Sequence, residues 1–257
     1  MEGVYQAGSE QHPAVVMLHS SMSSARQWRA LVAQLEPDYR VVNLDLYGYG
    51  EGPGVEDAST FSLATEARRV MQVLDELEAE QFHLLGHSYG GALALKLALE
   101  QNHRVTSLML FEPVAFHLLS EDEPGYQEVR RLASGMQDAK PGQAAAAFVD
   151  YWNGTGYFAG LPEPMQALFA QQVDKVRLDF QALLGEPYVP EDYAKIKQPA
   201  LLMTGKHSRQ SAHAVAAIIG HQLPRLTARP VPGGHMAPIS HSELVNEQIL
   251  TFLDNIA

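Results

Sequence analysis

No cysteine occurs among the 257 residues, so disulfides, a thiolate nucleophile and any metal site built on sulfur are excluded. Clustered positive charge is missing as well. Thirty acidic residues outnumber 18 basic ones, leaving a formal charge of -12, and the electrostatic footprint that nucleic acid requires is absent. No uninterrupted apolar run reaches the ~18 residues of a membrane span. The opening Met1-Glu2-Gly3-Val4-Tyr5 has neither a basic region nor an apolar stretch of the kind that directs export. No H-E-x-x-H or paired-histidine helix spacing is present, so nothing points to a metal. What remains is the expectation of a cytoplasmic protein working on a small molecule without a cofactor, with neither nucleic acid nor membrane as partner.

At 46% hydrophobic and 19% charged, the chain can bury a substantial core. Short β-branched or leucine-rich runs alternate with helical spacing, which predicts an α/β fold with a mostly parallel central sheet flanked by helices. Strands are expected at Ala14–Leu18, Arg40–Leu44, Phe82–Leu85, Val105–Phe111, Ala200–Thr204 and Arg225–Val231. Helices are expected near Ser24–Leu35, Leu63–Glu78, Tyr89–Glu100, Ser211–His221 and Ser242–Ile256. Between 114 and 197 the alternation stops. Apolar spacing there (Val129, Leu132, Met136; Phe148, Trp152; Leu168, Val173, Val176, Phe180, Leu183) suits three or four short helices jointed at Pro and Gly. This divides the chain into a core, residues 1–113 and 198–257, and an inserted helical lid, residues 114–197.

The densest signal is Gly86-His87-Ser88-Tyr89-Gly90-Gly91, which closes an apolar strand and opens an Ala/Leu-rich helix. A G-x-S-x-G turn in that context holds its serine in strained backbone angles at a helix N-terminus, where the unpaired N–H groups favour negative charge. Serine at neutral pH needs a base within hydrogen-bond reach and a third group to orient that base. Val231-Pro232-Gly233-Gly234-His235-Met236 offers the base, because it puts a histidine in a glycine-rich loop just after the last strand. Ser88 and His235 are therefore the candidate nucleophile and general base.

In combination these segments resemble the α/β-hydrolase superfamily. They are the His19 loop after a strand, Asp45-Leu46-Tyr47-Gly48-Tyr49-Gly50, the Ser88 turn and the His235 loop, in the order that family uses. The resemblance covers all but the lid. It implies an oxyanion hole made by the backbone N–H of Tyr89 with that of Ser21, or failing that Ser20, and a structural role for Asp45. Two departures stand out: the family usually has His-Gly where this chain has His19-Ser20, and Arg where it has Tyr47. A third concerns the acid of the triad. Family members most often carry Asp after the strand that here is Ala200–Thr204, but this chain reads Gly205-Lys206-His207-Ser208.

One strand earlier, Leu108-Met109-Leu110-Phe111-Glu112-Pro113 ends an apolar run in a carboxylate. Some family members, one branch of the haloalkane dehalogenases among them, resemble this arrangement in taking their acid from this strand. Glu112 is accordingly the expected acid, with Pro113 biasing it towards extended backbone; the alternative is that another carboxylate, or none, orients His235. Ser20, Met22, Trp152 and Met236, with Tyr89, are expected to line an apolar substrate site. The resemblance implies a serine hydrolase that cleaves a small apolar carboxylic ester through an acyl-enzyme. Two alternatives stay open: C–C or thioester cleavage by the same triad, and a non-catalytic ligand-binding protein. A serine at this position disfavours dehalogenase and epoxide hydrolase chemistry, which needs a carboxylate there.

Overall fold

The computed structural model describes residues 1–256. Its runs of Val, Leu and Met are buried on both faces, as central parallel strands must be. They form β2 (Ala14–Leu18), β3 (Arg40–Leu44), β4 (Phe82–His87), β5 (Val105–Phe111) and β6 (Ala200–Gly205), between a short β1 (Val4–Ala7) and a largely exposed β7 (Leu226–Val231) at the two edges of the sheet. Their spatial order is β1-β3-β2-β4-β5-β6-β7, with β1 antiparallel to β3 and every other pair parallel. The α/β fold with its mostly parallel, helix-flanked sheet is as the sequence predicts. β1 is not: its four half-exposed residues carry no apolar run, and only pairing to Val41–Leu44 makes them a strand.

Alternation along the strands divides the interior in two. Val15 and Met17 of β2, with Met109, Phe111, Leu201 and Met203, pack one face against Trp28, Leu31 and Leu35 and against Ile249 and Phe252. Val16 and Leu18 face the opposite, larger core. The first layer is covered by α1 (Arg29–Leu35) and the C-terminal α10 (Ser242–Ile256); the second is covered by α2 (Leu63–Glu76), α3 (Tyr89–Glu100) and, past β6, α8 (Gln210–Gln222).

Two helix expectations need correction. The stretch from Ser24 to Leu35 is not one helix: the Ser24 side chain accepts from the Arg26 N–H and starts a tight 3₁₀ turn at Ala25–Trp28 before α1 begins. α2 stops at Glu76, and Glu78 beyond it has φ +53°.

Residues 114–197 contain no strand among the described residues. They form α4 (Pro124–Gln137), α5 (Pro141–Asn153), α6 (Glu163–Gln171) and α7 (Val173–Leu184), four helices where three or four are expected. Proline sits in the first turn of α4, α5 and α6, where its missing N–H costs nothing. A further turn, α9 (Ala237–Ser240), follows His235. No described helix is long and apolar enough to cross a membrane.

Candidate active site

Three parallel strand ends meet at one point. β4 delivers Ser88 immediately after His87, β5 delivers Glu112 immediately after Phe111, and the register pairs His87 with Phe111 directly. The loop after β7 brings His235 over both. The Ser88 hydroxyl lies 2.8 Å from Nε2 of His235, and Nδ1 of the same ring lies 2.7 Å from Oε2 of Glu112. Because a carboxylate only accepts, Nδ1 carries the hydrogen and Nε2 is free to receive one from Ser88. All three residues are buried, Glu112 completely, Ser88 and His235 to within 5%.

Local conformation is strained where these side chains emerge. Ser88 has φ +57° and ψ -118°, Glu112 has φ +41°, and Met22 has φ +55°. Non-glycine residues take such angles only when their surroundings over-determine them. Around Ser88 they do. Its N–H donates to the Phe111 carbonyl at 3.0 Å, and its own carbonyl accepts from Ala92 and Val114. Glycine is required on either side: a Cβ at Gly86 would run into the Gly90 carbonyl, and one at Gly90 into the carbonyls of Leu18 and His19. The extended conformation expected for Glu112 before Pro113 is not adopted. Instead the chain turns at Glu112, its N–H bonded to the Met203 carbonyl at 3.0 Å, and this turn swings the carboxylate under His235.

The two oxygens of Glu112 are both used, one by His235 and the other by the backbone N–H of Gly205 at 2.6 Å. Ser208, in the position where the family usually has its acid, is not bonded to the imidazole. Its hydroxyl is buried without a partner among the described residues.

Two further rings hold His235. Trp152 of α5 stacks on it with centroids 3.7 Å apart and planes at 23°. His87 donates from Nε2 to the His235 carbonyl at 2.9 Å, and burial drives its pKa well below the ordinary value, keeping it neutral. The sequence places Trp152 at the substrate and leaves His87 without a role; only its position beside Ser88 hinted at one.

On the far side of Ser88, the His19 loop is fastened by its own side chains. His19, with a pKa lowered by burial to about 4, donates from Nδ1 to the Ser20 carbonyl and accepts at Nε2 from the Leu46 N–H. The Ser20 amide and hydroxyl both donate to Gln27 Oε1, at 3.2 and 3.0 Å, so Ser20 has no free N–H. The backbone N–H groups of Ser21 and Tyr89 have no acceptor among the described residues. Asp45 braces the region, accepting from Tyr5, Ala25 and Glu51.

Above Ser88 opens a cavity of about 840 Å³. Ser20, Ser21, Met22 and Met236 line it, and Phe148, Tyr151, Trp152 and Tyr157 form its wall from the helical segment. The Tyr89 side chain does not line it. That ring points away, into the buried space around Glu66 and Lys175. Phe158 and Tyr126 also lie off the cavity wall.

The alpha/beta hydrolase family model matches residues 15–248, and the chain belongs to that family. It is 30% identical to the putative carbamate hydrolase RutD of Variovorax paradoxus (strain S110), over 94% of this chain and 92% of that protein. Identity to carboxylesterase YbfK of Bacillus subtilis (strain 168) is 24%, over 97% of this chain and 83% of the relative. Among solved structures, a hydrolase from Pseudomonas aeruginosa PA01 superposes with a TM-score of 0.80 at 22% identity, covering 97% of this chain and 93% of its own. The chain is a hydrolase of this family.

Proposed function

We propose that the protein is a serine hydrolase cleaving a small apolar carboxylic ester through an acyl-enzyme, with Ser88, His235 and Glu112 as catalytic residues. The observation that carries this reading is the unbroken hydrogen-bonded chain from the Ser88 hydroxyl through His235 to Glu112 at the cavity floor. Ser88 Oγ attacks the ester carbonyl and its proton passes to Nε2 of His235, while Glu112 stabilises the imidazolium from the other side. The carbonyl oxygen becomes an oxyanion that the unpaired N–H groups of Ser21 and Tyr89 bind, each such donor contributing roughly 2.7–4 kcal/mol to lowering the barrier. The tetrahedral intermediate collapses as the alcohol leaves with the proton from Nε2. Water then attacks the acyl-enzyme, giving a proton to His235, and the acid departs with Ser88 restored.

The segment 114–197 serves in this reading as the lid, supplying the aromatic wall that fits an apolar acyl or alkoxy group. No cofactor is needed for these steps. The partner is a small-molecule ester, met in the cytoplasm.

A fluorophosphonate probe tests this directly: it labels the wild type on the peptide holding Ser88 and leaves Ser88→Ala unlabelled. p-Nitrophenyl esters of graded chain length then show a burst of alcohol release, and the preferred length reports cavity depth. Labelling without ester turnover would reassign the same triad to C–C or thioester cleavage. Absence of labelling would overturn the catalytic reading in favour of a ligand-binding protein.

A further inference from the structure

A charged cluster lies buried behind the oxyanion loop, on the side away from His235. Lys175 and Asp179, one turn apart on α7, pair with each other, and Lys175 Nζ is also 3.3 Å from Glu66 Oε1 on α2. All three side chains are at least nine-tenths buried. Three rings enclose the ammonium, those of Tyr49, Phe61 and Tyr89, with centroids 4.7, 4.7 and 4.6 Å from Nζ.

Such a cluster is an expensive way to fill a core. Two carboxylates share one ammonium, and an apolar set of equal volume commonly gives equal or greater stability. Its hydrogen bonds show what else it does. Asp179 Oδ2 accepts from the Ser21 hydroxyl and from the Tyr49 phenol, both at 2.6 Å. Glu66 Oε1 accepts from the Tyr89 phenol at 3.4 Å. Burial first, and the neighbouring carboxylates second, hold the phenols of Tyr49 and Tyr89 well above their ordinary pKa, so both remain donors. The residues whose backbone N–H groups have no acceptor, Ser21 and Tyr89, are thus tethered by their side chains to two carboxylates bridged by one lysine.

We propose that Asp179, Lys175 and Glu66 are positioning residues for the oxyanion-binding N–H groups, fixing Ser21 and Tyr89 relative to each other from α7 and α2. This rests on the serine hydrolase reading above. It also accounts for a departure in the sequence. Where the family usually has glycine after the loop histidine, this chain has Ser20 and then Ser21, and each hydroxyl has an anchor, Gln27 for the first and Asp179 for the second. Because Asp179 and Lys175 lie on α7, a helix that follows those walling the cavity also sets the geometry that stabilises negative charge. A donor moved by a fraction of an ångström is felt in the tetrahedral state and hardly at all by the planar ester.

The test compares wild type, Ser21→Ala, Asp179→Asn and the double variant, reading ester kcat and KM and the inhibition constant of an apolar trifluoromethyl ketone, which forms an anionic tetrahedral adduct with serine. Each single variant is expected to lower kcat about 10–100-fold, short of the 10²–10³ that follows outright removal of a donor. KM stays within about threefold, and the ketone weakens by the same factor as kcat falls, since both report the oxyanion. The double variant loses no more than the worse single one, because both break the same link. Ser21→Ala deletes one half-exposed hydroxyl and keeps the test intact if Asp179→Asn does not fold. Unchanged kcat and ketone affinity in folded variants, losses that multiply, or ketone affinity that fails to track kcat would overturn the proposal. Failure of wild type to react with a fluorophosphonate at Ser88 would instead remove the hydrolase reading beneath it.

Discussion

The tips of β5 and β6 lie side by side, and they carry unlike residues. At the first, Glu112 is wholly buried and both carboxylate oxygens are occupied, by His235 and by the Gly205 N–H. At the second, Ser208 has a hydroxyl without a partner among the described residues and no carboxylate nearby in sequence. The two strands exchange jobs here: β5 supplies the charge, and β6 supplies the backbone N–H that stabilises it. What a histidine needs is a carboxylate within reach of Nδ1, and here the tip of β5 provides it. The cost falls on the backbone, since Glu112 must turn through φ +41° to aim its side chain.

The strongest way to break the comparison is to neutralise the tip of β5. Glu112→Gln keeps the shape but removes the charge that favours the correct tautomer, and ester turnover should fall roughly 10³–10⁴-fold, measured as kcat/KM at pH 8. A smaller effect sharpens the view of His235 from its open side. Trp152→Ala deletes the stacked ring, and since an aromatic pair contributes about 0.5–1.5 kcal/mol, kcat should drop roughly 2–10-fold, with Trp152→Phe recovering much of the loss. Ser208→Ala marks the lower end, with kcat/KM within about twofold of wild type, because surface or cavity-wall changes that break no bond are usually within ±0.5 kcal/mol. A silent Glu112→Gln with a damaging Ser208→Ala would reverse the assignment of the two tips.

Buried imidazoles without a carboxylate partner complete the contrast. Burial lowers the pKa values of His19 and His117 to about 4 and pushes those of His83 and His87 below the usual 6.5. In the unfolded chain these rings take up a proton as pH falls through 6.5, whereas in the folded chain they resist, so the unfolded state binds more protons between about 4 and 6.5. Their contribution to stability is fully present above 6.5 and is lost as pH drops towards 4. Glu66, raised by burial, acts in the opposite direction but is one group against four. Calorimetry at constant ionic strength should therefore show Tm declining from pH 7 to pH 4.5; a flat or rising Tm would contradict the assignment of these rings as buried and neutral.

Much of this was legible in the residues. The apolar runs of β2 to β6 are written in Val, Leu and Met because those strands are covered on both faces, and Gly86 and Gly90 signal a turn too tight for side chains. Ser88 and His235 follow from strand ends and loop composition, and Glu112 from the resemblance to family members that take their acid from this strand. β1 was hidden, since four half-exposed residues become a strand only by pairing. The left-handed backbone at Glu112 ran against the local bias of Pro113, because the bond to Met203 and the pull of His235 outweigh it. Lys175, Asp179 and Glu66 gave no sign at all. On their helices they read as ordinary surface charges, and only the packing of α7 against α2 and the His19 loop turns them inward.

The most direct measurement of the central claim is the rate at which an apolar fluorophosphonate modifies Ser88 in wild type and in Glu112→Gln, followed by intact mass. The relay predicts one phosphonyl group added to wild type and a rate slower by roughly 10³-fold or more once the carboxylate is neutral. Equal rates in the two proteins, or modification at a residue other than Ser88, would contradict it.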